Sequence, residues 1–204
     1  MAGEEGGKSG ARSAVRLRLL EAAESCLLRE GYAALSTRAV AEQAQTQLSQ
    51  IHYHFGSKQG LVLALLDYQN QKLLRRQATT LSRDAPLASR WQQACDHLEE
   101  DLASGYVRVL QEIIALGYSD AEVASAARDV LNGWFVLLTQ MSGEIRTLLG
   151  ALGTLRDEEL GCLIGLLFLG AESMILIEMN LPVVSALRGV GSLLERLEQV
   201  QRRR

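Results

Sequence analysis

Between Gln47 and Lys58 the chain gathers side chains able to make directional polar contacts: Gln47, Ser49, Gln50, His52, Tyr53, His54 and Lys58. Amides and hydroxyls on one short segment suit the reading of base edges, and a glutamine can pair with adenine through two hydrogen bonds. A lysine at the end of such a segment suits a phosphate. The two histidines invite a competing reading as metal ligands. Helical residues i and i+2 point about 200° apart, so His52 and His54 cannot close on one ion, and His97 is remote in sequence. Ser13, Ser36 and Ser57 lack the spacing of a strained nucleophile turn, and no glycine-rich phosphate loop occurs. The pattern therefore predicts neither an enzyme nor a cofactor.

Two short helices must hold these groups. Ser36 and the apolar pair Leu35 and Val40 mark the start of the first, which the pattern ends near Ala44. Its inner face is Val40, Ala41 and Ala44, small enough for a close helix crossing. A second helix is predicted over 48–55, anchored by Ile51 and Phe55 at i and i+4. Gly56 stops it, and Ser57 is placed to cap a helix from Lys58 to about Ser82. Upstream, a helix is predicted from about Ser13 to Glu30, with Leu17, Leu20, Ala23 and Leu27 as its apolar side and Gly31 as its stop. Short helices joined by a tight turn, the second rich in polar groups, make a helix-turn-helix.

The run Leu20-Glu21-Ala22-Ala23, then Gly31-Tyr32, Ser36-Thr37-Arg38, Val40-Ala41, Ala44 and Ile51 to Lys58 resembles the N-terminal domain of the TetR family over about residues 13–63. The resemblance implies that Thr37 donates to a phosphate at a helix N-terminus and that Arg38 reaches a phosphate or a base. It implies that Gln47, Leu48, Ser49 and Gln50 open the recognition helix, that His52, Tyr53 and His54 contact DNA nearby, and that Lys58 binds a phosphate. Two departures stand out. The turn is Ala44-Gln45-Thr46-Gln47 where the family commonly has Ala-Gly-Val-Ser; a glutamine in a left-handed conformation costs about 1 kcal/mol. Gln47 is also a poor helix cap.

The rest of the chain reads as helices near 86–104, 106–117, 120–149, 157–180 and 183–202, so the fold class is all-α. Residues 1–12 are expected as a flexible tail without the apolar run of a signal peptide, 13–57 as the helix-turn-helix domain, and 58–204 as a helical effector-binding and dimerisation domain. The net charge is −3, yet residues 1–83 carry +4 and residues 84–204 carry −7, the asymmetry expected where one end meets phosphate. Arg12, Arg16 and Arg18 are candidate minor-groove or phosphate contacts, and Arg202, Arg203 and Arg204 a solvated tail. Cys26, Cys95 and Cys162 read as core residues of a reduced, cytoplasmic protein. The apolar stretch 160–184 contains Glu172 and Glu178, which disfavours a membrane span; Gly161, Gly165 and Gly170 instead suit close approach of a partner helix.

The resemblance implies a homodimer joined through the helices near 157–180 and 183–202, bound to double-stranded DNA and controlled by a small molecule. Tyr106, Trp134, Phe135, Met141, Phe168 and Met174, with Gln111, Thr139 or Glu172 as polar handles, are candidates for a largely apolar pocket. Three readings stay open at this point: a ligand-released repressor on a palindromic operator, a DNA binder of this type without a small effector, and a helical ligand carrier with a vestigial motif.

Overall fold

A computed structural model describes residues 4–80, 85–150 and 154–203. Among them the chain forms nine helices and no strand: α1 (Glu4–Ala34), α2 (Thr37–Gln43), α3 (Leu48–Phe55), α4 (Lys58–Thr80), α5 (Leu87–Ser104), α6 (Tyr106–Gly117), α7 (Ala121–Leu149), α8 (Asp157–Leu176) and α9 (Val183–Arg202). The all-α class and the order of elements follow the sequence pattern. Helix α1 begins earlier than that pattern: from Glu4 the segment expected as a flexible tail is helical. Gly31 interrupts α1 at φ 75° and ψ 170°, a conformation open to glycine. The expected chain break at Gly153 and the end of α4 at Ser82 lie outside the described residues.

The helices bury two separate apolar clusters. The first joins Leu19, Leu20, Ala23 and Leu27 of α1, Val40 and Ala41 of α2, and Ile51 of α3 to Leu61, Leu65 and Leu66 of α4. Val107, Leu110 and Ile113 of α6 and Val123 and Val130 of α7 complete it. Leu17, expected on this face, is exposed; it lies about 120° around α1 from the centre of the buried stripe. The second cluster joins Trp91, Cys95 and Leu98 of α5, Leu138, Met141 and Ile145 of α7, Ile164 and Phe168 of α8, and Leu187 and Leu194 of α9. Trp91 donates from its indole nitrogen to the Leu187 carbonyl at 2.7 Å, tying α5 to α9. Arg90 is buried and bonded to Glu144 of α7.

Helix α8 is long and apolar enough to cross a membrane, with a mean hydropathy of 1.8, and packs in the body along one face. A β-carbon at Gly165 would sit 2.2 Å from the Phe135 ring, and one at Gly161 3.0 Å from the Thr139 backbone. These glycines admit α7 of the same chain, not a partner; Gly170 alone of the three faces open space. Leu163, Leu166 and Leu167 of α8 and Leu193 and Val200 of α9 are exposed. Cys162 stands on that outer side, so the expectation that all three cysteines are buried fails there. Helix α8 also ends four residues early. Glu178 takes φ 54°, its amide bonds the Ile175 carbonyl, and the Met179 amide bonds the Met174 carbonyl at 3.0 Å, the closure of a Schellman turn.

Candidate nucleic-acid interface and body cavity

The turn between α2 and α3 has the same construction. Gln45 adopts φ 52°, its amide bonds Glu42, and the Thr46 amide bonds the Ala41 carbonyl at 2.9 Å. The left-handed glutamine anticipated from the sequence is therefore present. Neither following cap is made by a side chain: Ser36 before α2 and Gln47 before α3 have capping backbone geometry without a side-chain bond. Ser57 does cap α4, accepting from the Gly60 amide at 2.9 Å. Gly60 has a steric reason to be glycine, because a β-carbon there would lie 2.1 Å from the Phe55 carbonyl oxygen.

With Ile51 fully buried, α3 turns Ser49, His52 and Tyr53 outward on one face, at i, i+3 and i+4. Gln50 and His54 form a half-buried stripe beside it, and Gln47 and Arg38 are exposed. Thr37, first in α2, is half-buried. Leu48, expected toward DNA, packs partly against the first core, because the close turn brings its side chain under α3. His52 is engaged with the Gly56 carbonyl through Nδ1 at 3.1 Å. The Lys58 ammonium lies over the Tyr32 ring at 4.6 Å and donates to the Ala33 carbonyl at 3.4 Å, so it sits at the α1–α4 junction.

The first part of α1 reaches this surface. The Arg12 guanidinium stacks over Tyr53 at 4.8 Å and that of Arg16 over Phe55 at 5.5 Å. Burial and these two cations together push the His54 pKa down, favouring its neutral form. Sequence spacing flagged the arginines as cations but gave no signal that they seat on α3, since that contact depends on the angle at which α1 crosses it.

A cavity lies where the two cores meet, with about 720 Å³ of empty space when its open mouth is included. Leu73 of α4, Leu98 of α5, Leu110 of α6 and Trp134 of α7 contribute apolar wall. Of the aromatic candidates, Tyr106, Trp134 and Phe168 line it; Phe135 instead covers Gly165 and Met141 fills the second core. Glu172 faces the cavity, and its second oxygen accepts from Gln111 of α6 at 2.9 Å. Burial pushes the Glu172 pKa up to about 7. Helix α6 also meets α1: Glu112 accepts from the Tyr32 amide at 2.7 Å, and Arg108 donates to the Leu28 carbonyl at 3.2 Å, on either side of Gly31.

Residues 19–65 match the family described as bacterial regulatory proteins, tetR family. No curated protein sequence matches the chain. Solved structures do. A TetR transcription regulator from Haloarcula marismortui superposes with a TM-score of 0.73 at 16% identity, covering 89% of this chain and 96% of that one. The regulator FadR of Bacillus subtilis in complex with stearoyl-CoA gives 0.70 at 15% identity, covering 87% and 96%. A candidate transcriptional regulator of Saccharomonospora viridis in complex with choline gives 0.70 at 22%, covering 88% and 94%. At such identities the likeness establishes the fold, and the match at 19–65 establishes the family of the helix-turn-helix unit. The chain carries the DNA-binding domain of the TetR family of transcriptional regulators on a helical body of that family's fold.

Proposed function

We propose that the chain is a cytoplasmic repressor that binds a palindromic operator as a homodimer and is released by a small, largely apolar molecule in the body cavity. The observation that carries the ligand-release reading is the position of α6. Through Gln111 it holds Glu172 at the cavity, and through Glu112 and Arg108 it holds α1 on both sides of Gly31. A ligand that favours another position of α6 thereby favours another position of the DNA-binding unit. A coupling of about 1–3 kcal/mol changes operator occupancy 5- to 150-fold. That relatives of this fold are seen with stearoyl-CoA and with choline is in keeping with a ligand-holding body. The exposed leucines of α8 and α9 suit burial against a second copy, and a dimer formed there is expected to present two recognition helices about 34 Å apart, the spacing of successive major grooves.

In this reading Ser49, Gln50 and Tyr53 meet bases, with Gln47 and Leu48 at the entry to the groove and His54 behind them. Thr37, Arg38, His52 and Lys58 meet phosphates; Lys58 swings from the Ala33 carbonyl to do so. Fluorescence anisotropy on DNA from upstream of the chain's own gene, and on DNA recovered from a random-sequence selection, tests it. Gln50→Ala is expected to relax specificity at one position by about 1–3 kcal/mol, and Lys58→Ala to weaken all sequences and lower the salt slope by about one. Failure to recover any bound sequence from the selection overturns the reading.

A further inference from the structure

The cavity holds polar groups that the protein leaves without partners. Asn70 and Tyr106 are each more than nine-tenths buried and line it, yet neither side chain makes a hydrogen bond among the described residues. The Gln77 amide oxygen is buried without a partner. Glu172, equally buried, uses one oxygen for Gln111 and has no ion pair among the described residues. Buried polar groups are normally satisfied, and a carboxylate in an apolar site is costly without a countercharge. The unpartnered Gln77 oxygen and a Glu172 carboxyl without a countercharge, with Asn70 and Tyr106 beside them on the same wall, mark the place of something that supplies the missing contacts.

The charge of the wall says what that something is. No lysine or arginine lines the cavity, whereas two carboxylates do. Asp101 is already engaged, accepting from Arg76 at 2.6 Å. Glu172 is not, and the aromatic rings of Tyr106, Trp134 and Phe168 share its walls. Ring faces and an unpaired carboxylate both attract a cation with a hydrogen-bonding N–H, and the apolar remainder attracts hydrocarbon. An anionic ligand finds the carboxyl of Glu172 and no lysine or arginine, and the basic group on the wall, His97, already bonds Glu100 at 3.3 Å. Resting on the reading of this cavity as the effector site, we propose that it takes a hydrophobic amine in its protonated form, with the ammonium on Glu172 and its apolar body among Leu73, Leu110 and Trp134. Asn70, Tyr106 and Gln77 serve the remaining donors and acceptors near the head group. The raised pKa of Glu172 fits a carboxyl that ionises fully only when its cation arrives.

A matched set separates head group from body: 4-phenylbutylamine, 4-phenylbutan-1-ol and 4-phenylbutyrate, titrated calorimetrically into the full-length protein. The amine is expected to bind about tenfold or more tighter than either analogue, as a charge-assisted bond in a desolvated site requires. Glu172→Gln is expected to lose roughly that factor for the amine while leaving the alcohol within about threefold. The ranking with the unmodified protein is decisive even if the variant misfolds. 4-Phenylbutyrate binding as tightly as the amine, no amine binding at millimolar concentration, or an unchanged amine affinity in a folded Glu172→Gln protein overturns the proposal. Amine that binds through Glu172 but leaves operator affinity untouched supports the ligand class and instead overturns ligand release.

Discussion

In the N-terminal unit Ser49, His52 and Tyr53 stand in solvent on a helix whose opposite side buries Ile51 completely. In the body, Asn70, Tyr106 and Glu172 point the other way, into an apolar interior. The same kinds of polar group thus carry opposite stability consequences. On α3 they stay hydrated until DNA replaces water, so they cost the free protein little. Around the cavity they give up water without receiving full replacement, so the free protein bears part of the cost of readiness for a ligand.

That contrast breaks most visibly at the two cores. Trp91→Ala is expected to cost about 3–5 kcal/mol through lost packing and the lost bond to Leu187. Hydrogen exchange should report the loss in α5, α8 and α9 while α2 and α3 keep their protection. Equal loss in α2 and α3 would show that the two clusters unfold as one. A smaller effect is expected at Glu172, where pH supplies the readout. Below about pH 4.5 its carboxyl is protonated in folded and unfolded chains alike. Between about 4.5 and about 7 the unfolded chain ionises while burial keeps the folded one protonated, so stability falls as pH rises and levels off above about 7. The size of that fall is about 3 kcal/mol, Asp101 adding to the shift and the Gln111 amide opposing it. Denaturant titrations of Glu172→Gln across this range should lack this component; a fall of the same size in the variant would mean that another group carries it.

Smaller again is Asn70→Leu, expected to stabilise the free protein by roughly 1 kcal/mol because it removes an unsatisfied amide from an apolar wall. Ser49→Ala, on the outer face of α3, should move the melting free energy by less than about 0.5 kcal/mol. A destabilised Asn70→Leu protein would remove the contrast between the two regions. An effect no larger than that of Asn70→Leu is set at the turn: Gln45→Gly relieves a left-handed side chain and should raise stability by up to about 1 kcal/mol, read as a small rise in Tm.

How much of this was legible beforehand follows from how local each feature is. Helix α3 and the break at Gly56 are written in neighbouring residues, and even the strain at Gln45 followed from one non-glycine residue at one turn position. The resemblance over residues 13–63 pointed to the polar face of α3. Leu17 went astray because an apolar residue at a stripe's edge is assigned by the neighbour it meets, which periodicity does not contain. Gly161 and Gly165 were rightly read as sites of close approach, but not by which helix. The cavity was least legible. Tyr106, Trp134, Phe168 and Glu172 were among its candidates, yet Asn70 and Gln77 on α4 join them only through the packing of α4 against α7.

One consequence follows from the unbroken length of α1 ahead of Gly31. From Arg12, stacked on Tyr53, to Leu28, whose carbonyl accepts from Arg108, the helix is a stiff rod about 24 Å long, at 1.5 Å per residue. Pivoted at its α6 end, a tilt of about 6° sweeps the Arg12 end through about 2.5 Å, close to the length of a hydrogen bond. A displacement at α6 too small to disturb its packing is thus magnified, by leverage alone, into one as large as a base contact.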